Sequence, residues 1–393
     1  MDRQAFIKLL SPEGAKLLGE LGPLHSRADV LKLVSDLRKK GYDPELIATA
    51  LTQLKLRRLA QSKFGEFAEQ MLFSQDGLEQ ASRLQVAALH AGRFRQAGIN
   101  HVADLGCGIG AESLAMASLE LTVSAFEKDE VTAAIATYNL ASFSNVTVEH
   151  ADVTAVNLAS FEGLFLDPAR RDNRNRIFRP EDFSPSFDFV LAAAKLKPTI
   201  VKLGPGHPHN QIPADAEAVW VSVDGDLVEL GLYFGKVKRP DVLRAAMLIS
   251  KNGTHEIVAN QTTTEHAELG ALGDYLYEPD NALIRSHLIG QFAETLNLNA
   301  ISPEIAYLTG KEPISSPWLK GYQIIEDMPF DRKKLSAFLN KRDVGALQIK
   351  KRGADVIPEQ LRNELNLKGS QPAIIVITRV NNKHRVLLVE PLR

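Results

Sequence analysis

The stretch His101-Val102-Ala103-Asp104-Leu105-Gly106-Cys107-Gly108-Ile109-Gly110 decides how this chain is read. Residues His101–Leu105 predict a strand and Ala111–Ser118 predict a helix. The three glycines between them permit a tight turn, and they let backbone N–H groups approach a ligand with no Cβ in the way. Doubly wound folds bind ligands at this place, the carboxyl end of the first strand. An ordinary strand–helix turn is the plain alternative. Asp104 favours the ligand: a carboxylate there repels a pyrophosphate but pairs with the ammonium of a methionine moiety. The pattern therefore points to S-adenosylmethionine (SAM) rather than NAD.

Working outward, Leu121–Phe126, Val146–Glu149, Gly163–Leu166 and Thr199–Leu203 continue the strand series, with a helix at Val131–Ala141. This alternation implies parallel strands with helical crossovers, an α/β doubly wound sheet. Glu127 ends the second strand 23 residues beyond Asp104, close to the ~20 expected of a carboxylate that binds both ribose hydroxyls. Asp152, after the third strand, suits the adenine amine; a helix cap is the other reading. Lys128 and Val153 adjoin these carboxylates and complete the expected cofactor set with Gly106, Cys107, Gly108 and Gly110, although Lys128 also reads as a helix-start charge.

Strand four runs into Leu166-Asp167-Pro168-Ala169-Arg170-Arg171. Methyl transfer from a sulfonium is an in-line displacement, so the protein mainly holds nucleophile and methyl group aligned. A carboxylate and a carbonyl in a proline-stiffened loop accept hydrogen bonds from an amine and leave its lone pair facing the methyl. Asp167, Pro168 and Arg170 form the expected catalytic set, with Asp167 also beside the cofactor. Arg170, Arg171 and Arg174 suit phosphate or carboxylate recognition, or else form a solvated basic loop. Lys202 and His207, after strand five, are placed at the same cleft as substrate-binding candidates; His209 is a second candidate base. The single cysteine, Cys107, lies inside the glycine turn, which leaves no cysteine nucleophile, disulfide framework or multi-cysteine metal site. No metal is expected.

At 393 residues, two or three domains are expected. Residues 1–95 read as helical, with Ser11-Pro12-Glu13 and Asp43-Pro44-Glu45 as helix starts. The SAM-binding domain covers 96–237, its sheet ending in a hairpin of Ala218–Val223 and Leu227–Phe234. A connector, 238–317, opens with a hairpin around Asn252-Gly253 and is then irregular. Residues 318–393 read as a βαβαββ string, a small ferredoxin-like α+β module. The net charge of −2 hides an imbalance: residues 318–393 carry 15 Lys+Arg against 8 Asp+Glu, and residues 1–95 carry 15 against 11. Basic ends beside an acidic middle point to a polyanionic partner or to a solvated basic surface. With no signal peptide and no apolar run of membrane length, a cytoplasmic setting is expected and no membrane partner.

Taken with Lys63-Phe64-Gly65, Met71-Leu72-Phe73, Gly77-Leu78-Glu79-Gln80-Ala81, Tyr275-Leu276-Tyr277-Glu278-Pro279-Asp280, Arg285 and Lys350-Lys351-Arg352-Gly353, these motifs resemble class I SAM-dependent methyltransferases that carry a C-terminal THUMP-like domain. The core is similar to that of trimethylguanosine synthase and related N2-guanine methyltransferases. The resemblance implies that Phe73 and Gln80 close over the cofactor and that the Asp167 loop presents an amine nucleophile. It also implies a structured RNA such as tRNA or rRNA as partner. The chain departs from those enzymes at Ala169 and Arg170, where they carry a second proline and a base-stacking aromatic. A guanidinium can stack in that aromatic's place. A small-molecule or protein acceptor, or SAM binding without catalysis, are the competing readings.

Overall fold

The structure, a computed structural model, describes residues 3–21, 27–168, 171–172, 175–176, 183–261 and 266–392, and of 27–29, 171–172 and 175–176 the backbone alone. The chain divides into two compact units, 1–203 with 232–238, and 204–231 with 239–393.

The first unit opens with helices α1 (Arg3–Leu10), α2 (Pro12–Glu20), α3 (Arg27–Lys39), α4 (Pro44–Phe64), α5 (Gln75–Gln80) and α6 (Leu84–Gln96). Pro12 and Pro44 occupy the first helical turn, and Ser11 Oγ accepts from the Gly14 N–H at 3.2 Å, as the sequence leads one to expect. Strands and helices then alternate: β1 (His101–Leu105), α7 (Ala111–Ser118), β2 (Thr122–Glu127), α8 (Glu130–Leu140), β3 (Val146–His150), β4 (Gly163–Leu166), α9 (Phe187–Leu196) and β5 (Thr199–Leu203). The strands lie in the order β3-β2-β1-β4-β5, and every pair among them is parallel. Sequential winding outward from β1 in both directions places Asp104 between Ala125 and Phe165. The crevice at the carboxyl ends of β1 and β4 is thus the topological switch point. Phe6, Leu17, Leu56, Phe64 and Phe73 share one apolar core with Ile109, Leu114, Ile135 and Leu140, so the N-terminal helices and the glycine turn are packed as a single body.

The second unit holds β6 (Glu217–Val223) and β7 (Asp226–Phe234), whose last residues, 232–234, belong to the first unit. Asp224 and Gly225 both have positive φ, +50° and +88°, the twist a two-residue hairpin needs. Next come β8 (Arg244–Ser250), parallel to β6, and β9 (Gly253–Ala259), antiparallel to β8. The region expected to be irregular supplies β10 (Tyr275–Pro279), α10 (Asn281–Arg285), α11 (Ile289–Thr295), β11 (Asn299–Ala300) and β12 (Leu308–Gly310). These lead to β13 (Leu319–Pro329), α12 (Arg332–Lys341), β14 (Val344–Lys351), α13 (Pro358–Leu365), β15 (Gln371–Val380) and β16 (Lys383–Pro391). The βαβαββ string forms as read, but its sheet does not stop at the module. The order β11-β12-β10-β13-β16-β15-β14 puts β10 of the preceding region directly against β13. Leu335, Leu339, Leu361 and Leu365 of α12 and α13 cover one face of that sheet through Ile375, Ile377 and Val386.

Candidate active site

The glycine turn is built as its composition demands. Gly106, Gly108 and Gly110 have φ of +98°, +54° and +90°, a region other residues enter only at a cost. The Gly106 and Cys107 N–H groups donate to Phe126 O at 2.9 and 3.0 Å, which pins the turn against the end of β2. A Cβ on Gly110 would stand 2.9 Å from Leu140 Cδ1, whereas one on Gly108 would meet nothing within 4 Å. Gly110 is therefore a packing requirement; Gly108 faces open space.

Beneath the turn Asp104 is fully buried. Ser113 Oγ, from the first turn of the following helix, donates to its Oδ2 at 2.5 Å, and Oδ1 has no hydrogen-bond partner among the described residues. Burial pushes the carboxyl up to about 7; the Ser113 bond opposes this, and the negative charges of Glu112, Asp167 and Glu127 add to it. Four acidic side chains thus converge electrostatically where the sheet order reverses. Such a place repels pyrophosphate and attracts a cation.

Glu127 ties the turn to the next helix: its Oε2 accepts from Gly108 N at 3.0 Å and its Oε1 from Asp129 N at 2.9 Å. Each carboxylate oxygen has a second lone pair, so acceptor capacity remains. Asp152 caps the short turn Val153–Ala155 through Thr154 N at 3.0 Å and receives Lys128 Nζ at 2.8 Å. That lysine is the first cause of a carboxyl held well below the usual carboxylate range, followed by Thr154. Val153 is buried beside it. Lys128 and Asp152 are both exposed enough for water to screen the pair.

Sequence reasoning missed the groups that fasten the N-terminal helices onto this turn. A Cβ on Gly77 would lie 2.5 Å from Ile109 Cγ2, so α5 rests directly on the glycine turn and needs glycine there. Asn139 of α8 donates to Ile109 O at 2.9 Å and to Leu72 O at 3.1 Å, and its Oδ1 accepts from Leu72 N at 2.7 Å. Gln53 of α4 brackets Phe73 in the same way: its Oε1 accepts from Phe73 N at 2.9 Å and its Nε2 donates to Phe73 O at 2.7 Å. The Phe73 ring is wholly buried against Phe64, with centroids 5.5 Å apart, so it supports the wall of the site rather than lining its surface. Lys63 Nζ donates to Leu78 O, Glu79 O and Ala81 O at 2.8, 2.9 and 2.8 Å, closing the carboxyl end of α5. The only signal for Gln53 and Asn139 was an amide inside an otherwise apolar helical face.

Asp167 follows β4, and Lys202 Nζ donates to its Oδ2 at 2.5 Å and to Gln80 O at 3.3 Å. A Cβ on Gly106 would lie 3.9 Å from Asp167 O, so the loop's carbonyl stands beside the glycine turn. Pro168 is buried. Arg170 and Arg174 lie outside the described residues; Arg171 is described only as backbone, in a two-strand ribbon with Arg176. His207 belongs to the second unit, where it is buried and its carbonyl, with that of Pro205, accepts from the Arg285 guanidinium. His209 is in the same unit, stacked between His287 and Trp220. Among the described residues no helix is long and apolar enough to cross a membrane, and no three His, Cys, Asp or Glu side chains are grouped to hold a metal.

A parallel sheet with this winding, a glycine turn after an acidic first strand and acidic ends on the strands around it defines a Rossmann-like class I methyltransferase. Residues 66–176 match the methyltransferase small domain, 319–391 a THUMP domain-like family, and 2–60 a domain of unknown function. An uncharacterized S-adenosylmethionine-dependent methyltransferase, known from two strains of Mycobacterium tuberculosis, is 30% identical over 346 residues, 86% of this chain and 93% of that protein. The crystal structure of a proposed methyltransferase from Porphyromonas gingivalis shares the fold with a TM-score of 0.69 at 18% identity, over 93% of this chain and 98% of that one. The chain belongs to the family of the mycobacterial protein, the S-adenosylmethionine-dependent methyltransferases, and carries the THUMP-like domain at its C-terminal part.

Proposed function

We propose that this methyltransferase transfers the methyl group of SAM to an amine nitrogen of an RNA nucleobase. The observation that carries the cofactor assignment is Asp104, buried with one oxygen unengaged and surrounded by the charges of Glu112, Asp167 and Glu127. SAM brings an electrophilic methyl on a sulfonium, and its methionine ammonium is the kind of cation this potential favours. Gly106, Gly108 and Gly110 leave the turn around Cys107 clear of side chains of their own, Glu127 receives ribose hydroxyls, and Asp152 with Val153 holds the adenine. Gln80 and Phe73 belong to the wall that α4 and α5 build over the turn. The Asp167 carboxylate and carbonyl accept from the acceptor amine, with Pro168 limiting the loop. Arg170, Arg171 and Arg174 offer guanidinium planes to base and phosphate.

The acceptor assignment draws on the excess of 15 Lys+Arg over 8 Asp+Glu in 318–393 and on the THUMP-like domain there. The test is transfer of tritiated methyl from SAM to total RNA of a strain lacking the gene, followed by nucleoside analysis. Label in a base-methylated nucleoside supports the reading. Label recovered only in protein or small molecules, or no RNA affinity at low salt, refutes the RNA acceptor and leaves the methyltransferase in place.

A further inference from the structure

Lys202 sits at the end of β5, far in sequence from Asp167 and Gln80, and is only 8% exposed. Its ammonium spans the Asp167 carboxylate, in the loop after β4, and the Gln80 carbonyl, at the end of α5. Lys63 takes the neighbouring carbonyls of Leu78, Glu79 and Ala81. Four successive carbonyls that would otherwise end a short helix unpaired are thus held by two lysines from separate elements. The same helix rests on Ile109 of the glycine turn through Gly77. Only one of the two lysines reaches the carboxylate that faces the acceptor.

We propose that Lys202 is a positioning residue for methyl transfer: it orients Asp167 and makes that orientation depend on the seating of the Leu78–Ala81 segment over the glycine turn. This rests on the assignment of Asp167 as the residue that receives the acceptor amine. An ammonium engaged with protein groups on both sides has little left to offer substrate, so Lys202 acts through Asp167. A carboxylate offers about four acceptor sites. Fixing one on Lys202 restricts the side chain's rotation and leaves the remainder for the amine.

The experiment uses the full-length protein with the tritiated-methyl assay, the variants Lys202→Met, Lys202→Arg and Asp167→Asn, and the double variant Asp167→Asn/Lys202→Met. Lys202→Met is expected to lower kcat on the order of 100-fold, with affinity for S-adenosylhomocysteine within about twofold of the parent. Lys202→Arg recovers a large part of the loss. The double variant, which removes both charges and so escapes the penalty of one buried unpaired ion, is no slower than the slower single variant. Losses that multiply, or a Lys202→Met enzyme with parental kcat, overturn the proposal. A second arm needs no acceptor: amide hydrogen exchange at Leu78–Ala81 accelerates in Asp167→Asn as well as in Lys202→Met. Unchanged exchange there in Asp167→Asn removes the coupling. Absence of RNA labelling by the parent enzyme counts against the acceptor alone, since the exchange arm still decides the role of Lys202.

Discussion

A carboxyl group with no exposure and one hydrogen-bond donor is poised to report what binds next to it. Asp104 titrates near 7 against an ordinary value of 3.8, so between those values the folded chain keeps a proton that the unfolded chain has lost. Stability therefore falls as pH rises through that window. A bound cation reverses the preference by favouring the carboxylate. S-adenosylhomocysteine binding at pH 6 is expected to release about one proton, read by calorimetry in buffers of unequal ionisation heat. Release vanishes near pH 8.5 and in Asp104→Asn; equal apparent heats in all buffers at pH 6 would show that Asp104 does not meet the ammonium. At Gly77 the constraint is contact. Gly77→Ala puts a methyl 2.5 Å from Ile109 Cγ2 and 2.7 Å from Ser74 Oγ. A loss of ~1–3 kcal/mol in denaturant melts is expected, partly restored when Ile109→Ala is added. An unchanged midpoint in Gly77→Ala would mean that α5 does not rest on the turn.

At the scale of elements, what the sequence revealed depended on how local each signal was. β1, α7, β4 and β5 have the limits that apolar runs and glycine punctuation predict, and β2 and α8 are displaced by one residue. The hairpin turns at Asp224-Gly225 and Asn381-Asn382 announce themselves because positive φ demands such residues. By contrast β10, β11 and β12 went unread: they are five, two and three residues long, and their pairing with one another and with β13 is set by tertiary context. α5 lies inside the region read as helical but was not delimited as an element, since six residues with a glycine carry little periodic signal. Its carboxyl end depends on Lys63, which burial holds down at about 8. Lys63→Met leaves three carbonyls without their donor and is expected to cost about 1–3 kcal/mol. Faster proteolytic cleavage near Leu78–Ala81 in native buffer would accompany it; parental cleavage rates would contradict the capping role. The candidate carboxylates were legible because each lies at or just beyond the carboxyl end of a strand, while Gln53, Asn139 and Ser113 act through distant partners that no local pattern displays.

For the whole molecule, the family boundary at 319 falls inside a continuous hydrogen-bonded sheet. Strand β13 lies between β10 and β16, so a chain ending at 317 would leave β10 with one side unpaired. Such a truncation is expected to aggregate, as size-exclusion chromatography would show; a monodisperse, SAM-binding product would contradict this. If the basic module grips phosphates, RNA affinity falls steeply between about 50 and 200 mM salt, with a slope that flattens when the exposed Lys333, Lys334 and Lys351 are changed to Gln. Finally, the chain's single thiol lies inside the glycine turn, buried, with burial raising its pKa well above the usual value. A neutral, enclosed sulfur is inert towards alkylating reagents. Labelling at neutral pH therefore proceeds only through opening of that turn, and the native protein carries an intrinsic chemical clock whose rate measures how often the cradle comes apart.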